Sequence, residues 1–282
     1  MASIFSFPNH CLKEMMLMAS LLLGGIASAQ HDEVARAEQA FANKAIEQGM
    51  KRAFLENLHP KGVIFDEGRI LNGISIWEKT PESNAKLYWK PWYTGLSKSG
   101  DLGFSTGPYE IRIPGRDSAV AAGSYNSIWV RDGEKEWKVM VDLGIRYSPS
   151  LFGTSLENKD WPKGPLLTGK TGQHDGWQEA EKAFLDAYVS QGSKGIGQFI
   201  GQQTWFCIDG RHPALGAEQS RAVLPTIPDQ LDFEPVDGGM AQAGDLCYVY
   251  GNVHYNGRTN NFLKVWQYGD KGWVLVLLVL QW

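Results

Sequence analysis

Basic residues are too few and too scattered in this chain to follow a phosphate backbone. Its 282 residues carry 27 Lys and Arg against 31 Asp and Glu, a formal charge of −4, so nucleic acid is not an expected partner. Cysteine is scarcer still, at three residues. Cys11 falls in a segment with the form of an export signal: Lys13, the apolar stretch Met15 to Leu23, then Ala27-Ser28-Ala29 before Gln30. That stretch is shorter than the ~20 residues a spanning helix needs. Residues 1–29 are therefore expected to be a signal peptide cleaved after Ala29, leaving a periplasmic or secreted protein without a membrane partner. Export would put Cys207 and Cys247 in an oxidising compartment, where they form either a disulfide or two small buried hydrophobes. The six histidines show no metal-ligand spacing with one another or with the cysteines. Gly195-Ile196-Gly197 with Gly201 has the wrong spacing for a dinucleotide loop and follows a helical pattern, and no Gly-x-Ser-x-Gly elbow occurs. No metal, nucleotide or flavin is demanded, and no cofactor is expected.

What the chain does have is a repeat of itself. Ala37-Glu38-Gln39-Ala40-Phe41 returns as Ala180-Glu181-Lys182-Ala183-Phe184, and Gln48-Gly49 as Gln191-Gly192. Gly68-Arg69 returns as Gly210-Arg211, Ser99-Gly100-Asp101-Leu102 as Ala243-Gly244-Asp245-Leu246, and Gly107 as Gly251. The offset holds at 142–144 residues and falls to 136–137 in the last hairpin, where Trp129 answers to Trp266 and Trp137 to Trp273. A period this long means tandem domains rather than a solenoid. The division expected is a first domain over 30–146, a Pro-, Gly-, Ser- and Lys-rich linker over 147–172, and a second domain over 173–282.

Each copy opens with an apolar stripe at helical spacing: Val34, Ala37, Phe41 and Ala45, then Trp177, Ala180 or Glu181, Phe184 and Tyr188. Gly49 and Gly192 interrupt both helices at the same place. A strand follows, Gly62 to Asp66 or Thr204 to Ile208, then a short helical candidate after Gly73 or Gly216. The rest of each copy is strand and turn. In the first copy the expected strands are Leu87 to Thr94, Leu102 to Ile113, Ala119 to Arg131 and Glu136 to Ile145, a meander of hairpins. Helices first and a hairpin sheet after give an α+β fold in which the sheet wraps the helices. The closing run Trp273 to Trp282 is apolar on both faces, which predicts a strand buried on both sides at a domain or subunit interface. Aromatic residues make up 12% of the chain, with 11 tryptophans, enough large flat side chains to fill a core or line an apolar pocket.

This element order resembles the nuclear-transport-factor-2-like superfamily, which includes SnoaL-like proteins and ketosteroid isomerase. The stretches that carry the resemblance are Ala37 to Leu58, Trp89-Lys90-Pro91-Trp92-Tyr93, Ser99 to Gly107, Gly123 to Trp129 and Trp137 to Gly144; the match is closest to exported bacterial domains of unknown function. The resemblance implies two tandem cystatin-like cones, each a curved antiparallel sheet folded around N-terminal helices, with an apolar pocket at the open end. In related enzymes that pocket holds a carboxylate base beside hydrogen-bond donors; in other relatives it only binds, or only makes dimers. Intramolecular pairing of the copies and homodimerisation are both open.

Asp66 is the first candidate base, because the end of the first strand resembles the place where ketosteroid isomerase carries its own, and burial raises a carboxyl toward working pH. The alternative is a turn aspartate braced by Glu67 and Arg69. Asp66 aligns with Ile208 and Asp142 with Leu278, so any activity belongs to the first copy. Strict alternation sets Asp142 opposite Trp137, Val139, Val141 and Leu143, which predicts a side chain on the outer face or at an interface. Asp101 and Asp245 read as structural turn residues. Trp77, Tyr88, Trp89, Trp92, Tyr109 and Trp129 are the candidate ligand-binding group, with ordinary core packing as the alternative. The leading expectation is an exported protein that binds a small apolar or aromatic molecule in its first domain without turnover. The alternatives are an isomerase, dehydratase or cyclase using Asp66, and a non-catalytic interaction module.

Overall fold

The computed structural model describes residues 33–131, 135–154, 176–270 and 272–282. The expected leader over 1–29 and most of the expected linker lie outside these residues. Helix α1 (33–48) presents the stripe Val34, Phe41, Ala42 and Ala45 to the interior, all buried. Gly49, at φ +92°, turns the chain where a side chain would be strained, and α2 (Met50–Asn57) begins at once. Strands β1 (Leu58–Asp66) and β2 (Arg69–Asn72) form a hairpin, and Asn72 caps α3 (Gly73–Lys79) by accepting a hydrogen bond from the Ser75 N–H. The meander comprises β3 (Lys86–Trp89), β4 (Tyr93–Leu96), β5 (Leu102–Arg112), β6 (Ala121–Val130), β7 (Lys138–Asp142) and β8 (Ile145–Arg146).

The second copy repeats the plan. It contains α4 (Trp177–Gln191), a 3-10 helix (Gly192–Phe199), β9 (Ile200–Ile208), β10 (Ala214–Leu215), α5 (Gly216–Val223), β11 (Asp232–Met240), β12 (Leu246–Tyr255), β13 (Arg258–Gly269) and β14 (Gly272–Leu280). The sheet orders correspond strand for strand: β2-β1-β7-β6-β5-β3, with β4 on β5 and β8 on β6, against β10-β9-β14-β13-β12-β11. All pairings among the described residues are antiparallel except β1 with β7 and β9 with β14, where the first strand of each copy returns beside the last. Among the described residues no helix is long and apolar enough to cross a membrane.

The single strand expected over Leu87 to Thr94 is two strands. Lys90-Pro91-Trp92 bulges away from β5, with Lys90 N–H donating to Pro108 O and Trp92 N–H to Thr106 O. Gly107 lies beneath this bulge, and a Cβ there would sit 2.0 Å from the Lys90 carbonyl oxygen; at Gly251 it would sit 2.1 Å from Glu234 O. The shared glycine is therefore retained for close backbone approach.

Three cores result. Phe41, Phe54, Trp89, Trp129 and Val139 fill the first cone, and Phe184, Phe206, Phe233, Phe262, Trp266 and Leu278 fill the second. The third joins the outer faces of the two sheets, where Tyr93, Phe104, Ile128 and Val141 meet Trp205, Tyr248, Leu263 and Leu277. Tyr93 stacks on Trp205 at 4.7 Å and donates its hydroxyl to Gln203 O at 2.9 Å. The C-terminal run is apolar throughout because β14 serves two cores: Leu275, Leu278 and Leu280 point into the cone, and Val276, Leu277 and Val279 into the layer between sheets. The same alternation rules out the disulfide alternative. Cys207 packs in the layer between sheets and Cys247 in the second cone, both as free buried thiols.

The copies also clasp each other reciprocally. Asp245 accepts from the Lys98 N–H and Asp101 from the Gln242 N–H, each at 3.0 Å. This exchange between equivalent turns explains why both copies retain the Gly-Asp pair beyond the needs of hairpin geometry. Asp245 is fully buried, so Asp245→Ala strands the Lys98 N–H. The expected cost is about 1–3 kcal/mol in urea unfolding, with the half-exposed Asp101 costing less.

Candidate functional site

The first cone is not completely filled. A cavity of about 200 Å³ lies between α1, α2 and the concave face of the sheet. Its apolar wall comes from Phe41, Phe54, Leu87, Trp89, Tyr109 and Ile111, and its polar groups are Glu38, Tyr125, Ser127 and Asp142. Among the described residues, two carboxyl side chains line it and no lysine, arginine or histidine does.

Glu38 lies on the buried stripe of α1, one turn after Val34, and is fully buried. It is held from both sides, by Trp89 Nε1–H to Oε1 at 2.6 Å and Trp129 Nε1–H to Oε2 at 2.7 Å. These bonds favour the carboxylate, but burial outweighs them and, with the charge of Asp142, pushes the Glu38 pKa up to about 8. Burial likewise pushes Asp142 up to about 6, against a weak opposing hydrogen bond from Ser127 Oγ at 3.4 Å. Tyr125, whose hydroxyl shares a 2.8 Å hydrogen bond with Ser105 Oγ, is raised well above the usual phenol value by its own burial and by Glu38.

Asp142 faces inward, contrary to the alternation expected of its strand. The register of β6 with β7 shifts between Ile128 and Trp129: Val139 faces Trp129, Val141 faces Ile128 and Asp142 faces Ser127. Met140 is the extra residue of a bulge, so the side-chain phase reverses across it. Val139 and Asp142 then both point into the cone, while Val141 points to the layer between sheets.

Asp66 is corrected in the other direction. It sits at the β1–β2 turn with its side chain 53% exposed, paired to Arg69 through Oδ2 and Nη2, and it does not line the cavity. A solvated carboxylate beside a guanidinium is not a desolvated base. The aromatic group divides. Trp89 and Tyr109 line the cavity, and Trp129 supports it through Glu38. Trp77 stacks on Phe54 at 4.3 Å in the core behind the wall. Tyr88 faces the other side of the sheet, 6.1 Å from Phe152, and Trp92 belongs to the layer between sheets, so neither reaches the cavity. Glu38 was not singled out by sequence reasoning, although a glutamate on the apolar stripe of both copies was the signal that could have found it.

No protein-family model matches the chain, and no curated protein matches it. Among solved structures it is similar to a ketosteroid isomerase-like protein from Erwinia carotovora atroseptica, at 14% identity over 37% of this chain and 91% of that one, with a TM-score of 0.30. An NTF-2 like protein of unknown function from Shewanella oneidensis is similar at 14% identity over 37% and 95%, with a TM-score of 0.30. A cystatin-like fold protein from Burkholderia xenovorans is similar at 14% over 37% and 87%, with a TM-score of 0.31.

Proposed function

We propose that this is an exported small-molecule binding protein whose ligand site is the cavity of the first cone, with the second cone as a filled scaffold. One observation carries the reading: equivalent rungs of the two sheets are empty in one copy and occupied in the other. Ser127 faces Asp142 across β6 and β7 where Lys264 faces Leu278 across β13 and β14, and Gly144 stands where the second copy has Leu280. The three larger side chains are fully buried in the second cone. A cavity with apolar walls and a few convergent polar groups is the usual form of a ligand site.

Gly144 offers a direct test, because a Cβ there would have 3.9 Å to its nearest neighbours, Ser124 O and a Tyr109 ring carbon. Gly144→Leu transplants the filling of the second copy into the first. Native mass spectrometry of the exported protein is expected to detect a bound small molecule in the unaltered chain and none in this variant, with the thermal midpoint held within a few degrees. A ligand that persists in the variant would place the site elsewhere.

A second reading keeps proton transfer and moves it from Asp66 to Asp142. It is favoured by the Asp142 carboxyl, which lines the cavity with a pKa near 6.

A further inference from the structure

We propose that the first cone binds an organic ammonium ion, in the place where the second cone holds the side chain of its own Lys264. The inference rests on the binding reading above and names the chemical class of the ligand.

The second cone supplies the template. Lys264 is fully buried, and its Nζ donates to Glu181 Oε1 at 2.5 Å. It lies over three aromatic rings, 3.7 Å from the centroid of Phe184, 4.2 Å from Phe262 and 4.4 Å from Phe233. This is an ammonium held by one carboxylate and an aromatic box, the arrangement by which proteins bind alkylammonium heads. Here the ammonium is tethered by its own butyl stem.

Every fixed part of that box has its counterpart around the cavity of the first cone. Glu181 corresponds to Glu38 and Phe184 to Phe41, by the helix repeat. Phe262 pairs with Gly251 as Tyr125 pairs with Gly107, and Phe233 pairs with Val253 as Trp89 pairs with Tyr109. Glu38, Phe41, Trp89 and Tyr125 all line the cavity. The one missing component is the cation, because Ser127 occupies the Lys264 position.

The substitutions strengthen the case. Trp and Tyr present more electron-rich faces to a cation than Phe does, so the box of the first cone is better suited to one than the box that already holds one. Asp142, in place of Leu278, adds a second carboxyl and still no counter-charge. The indole N–H groups satisfy hydrogen bonds of Glu38 but carry no charge, and so do not replace an ammonium. In the second cone the equivalent indole, Trp266 Nε1, has no hydrogen-bond partner among the described residues, and Glu181 is engaged by Lys264 instead. Leu87 and Ile111 give the wall for the ligand's carbon chain, and the exposed Gly144 marks the side open to solvent.

The probe is the lysine side chain cut free. Isothermal titration of the exported protein at pH 8.5 would compare n-butylammonium with its neutral isostere 1-butanol. The ammonium is expected to bind at least tenfold more tightly, and Glu38→Gln to bring the two within about twofold of each other. Should that variant fail to fold, Asp142→Asn and the two-ligand comparison on the unaltered chain carry the test, the variant being expected to lower the ratio without abolishing it. If the alcohol binds as tightly as the ammonium, the cation inference is overturned and the ligand cavity stands. If neither binds, both are overturned.

Discussion

Lys264→Ala is expected to cost about 3–5 kcal/mol of unfolding free energy in urea at pH 7.5, and free n-butylammonium to restore part of it. The lysine is the counter-charge to Glu181 inside an apolar cone, and Glu181 is itself 2% exposed. Removing one member of a buried pair strands the other. The variant would also open a butyl-sized space between Phe184, Phe233 and Phe262. An amine that enters it acts by mass action, worth about 2.7 kcal/mol at one hundred times its dissociation constant. A Glu181→Leu, Lys264→Met double variant, which removes both charges and keeps the volume, should come within about 1 kcal/mol of the unaltered chain or exceed it. If Lys264→Ala proves neutral, or the amine does not stabilise it, Lys264 is not the keystone of the second cone.

Fold and site were legible to different degrees, for identifiable reasons. The duplication, the element order and the inward helix stripe could be read because each depends on local chemistry repeated in both copies: Gly49 and Gly192 after a helix, Gly107 and Gly251 beneath a bulge, and the Gly-Asp turns. What failed was the phase of individual strands. Counting by twos from Trp137 sends Asp142 outward, and a single extra residue at Met140, which leaves no trace in composition, sends it inward. Plain alternation from Trp89 already sets Trp92 on the other face, and the extra residue at Lys90-Pro91-Trp92 turns Tyr93 from the cone to the layer between sheets as well. Asp66 misled because a strand end looks alike whether it opens into a cavity or into solvent; the left-handed Glu67 and Gly68 that follow it make an exposed turn. Lys264 was overlooked although alternation sets it on the face of Phe262 and Trp266. Its meaning depends on Glu181, 83 residues earlier, and only the folded chain brings the two together.

The cavity acids should make the protein less stable as pH rises from 5 to 7.5, by about 4 kcal/mol, and Glu38→Gln should remove most of that slope. Glu38 titrates near 8 in the fold and near 4.5 in the unfolded chain. Between these values the folded state keeps a proton that the unfolded state releases, so stability falls with rising pH, by about 1.4 kcal/mol per unit, and levels off above 8. The groups that face Glu38 are Asp142 on β7, Tyr125 and Trp129 on β6, Trp89 on β3 and Ser105 on β5. Of these, Asp142 titrates within the window and acts in the same direction below pH 6. Lys264, lowered by burial to about 8, acts in the opposite direction but only above pH 8. His59, whose pKa burial lowers, opposes the trend weakly below its unfolded value of 6.5. A bound ammonium changes the outcome, because it holds Glu38 as the carboxylate and so flattens the stability profile. Its own affinity should rise about tenfold per pH unit up to 8 and then level off. Urea midpoints at pH 5 and 7.5, with and without n-butylammonium, measure all of this on one protein. Equal midpoints without amine would show that Glu38 is ionised throughout, held by its two indoles alone.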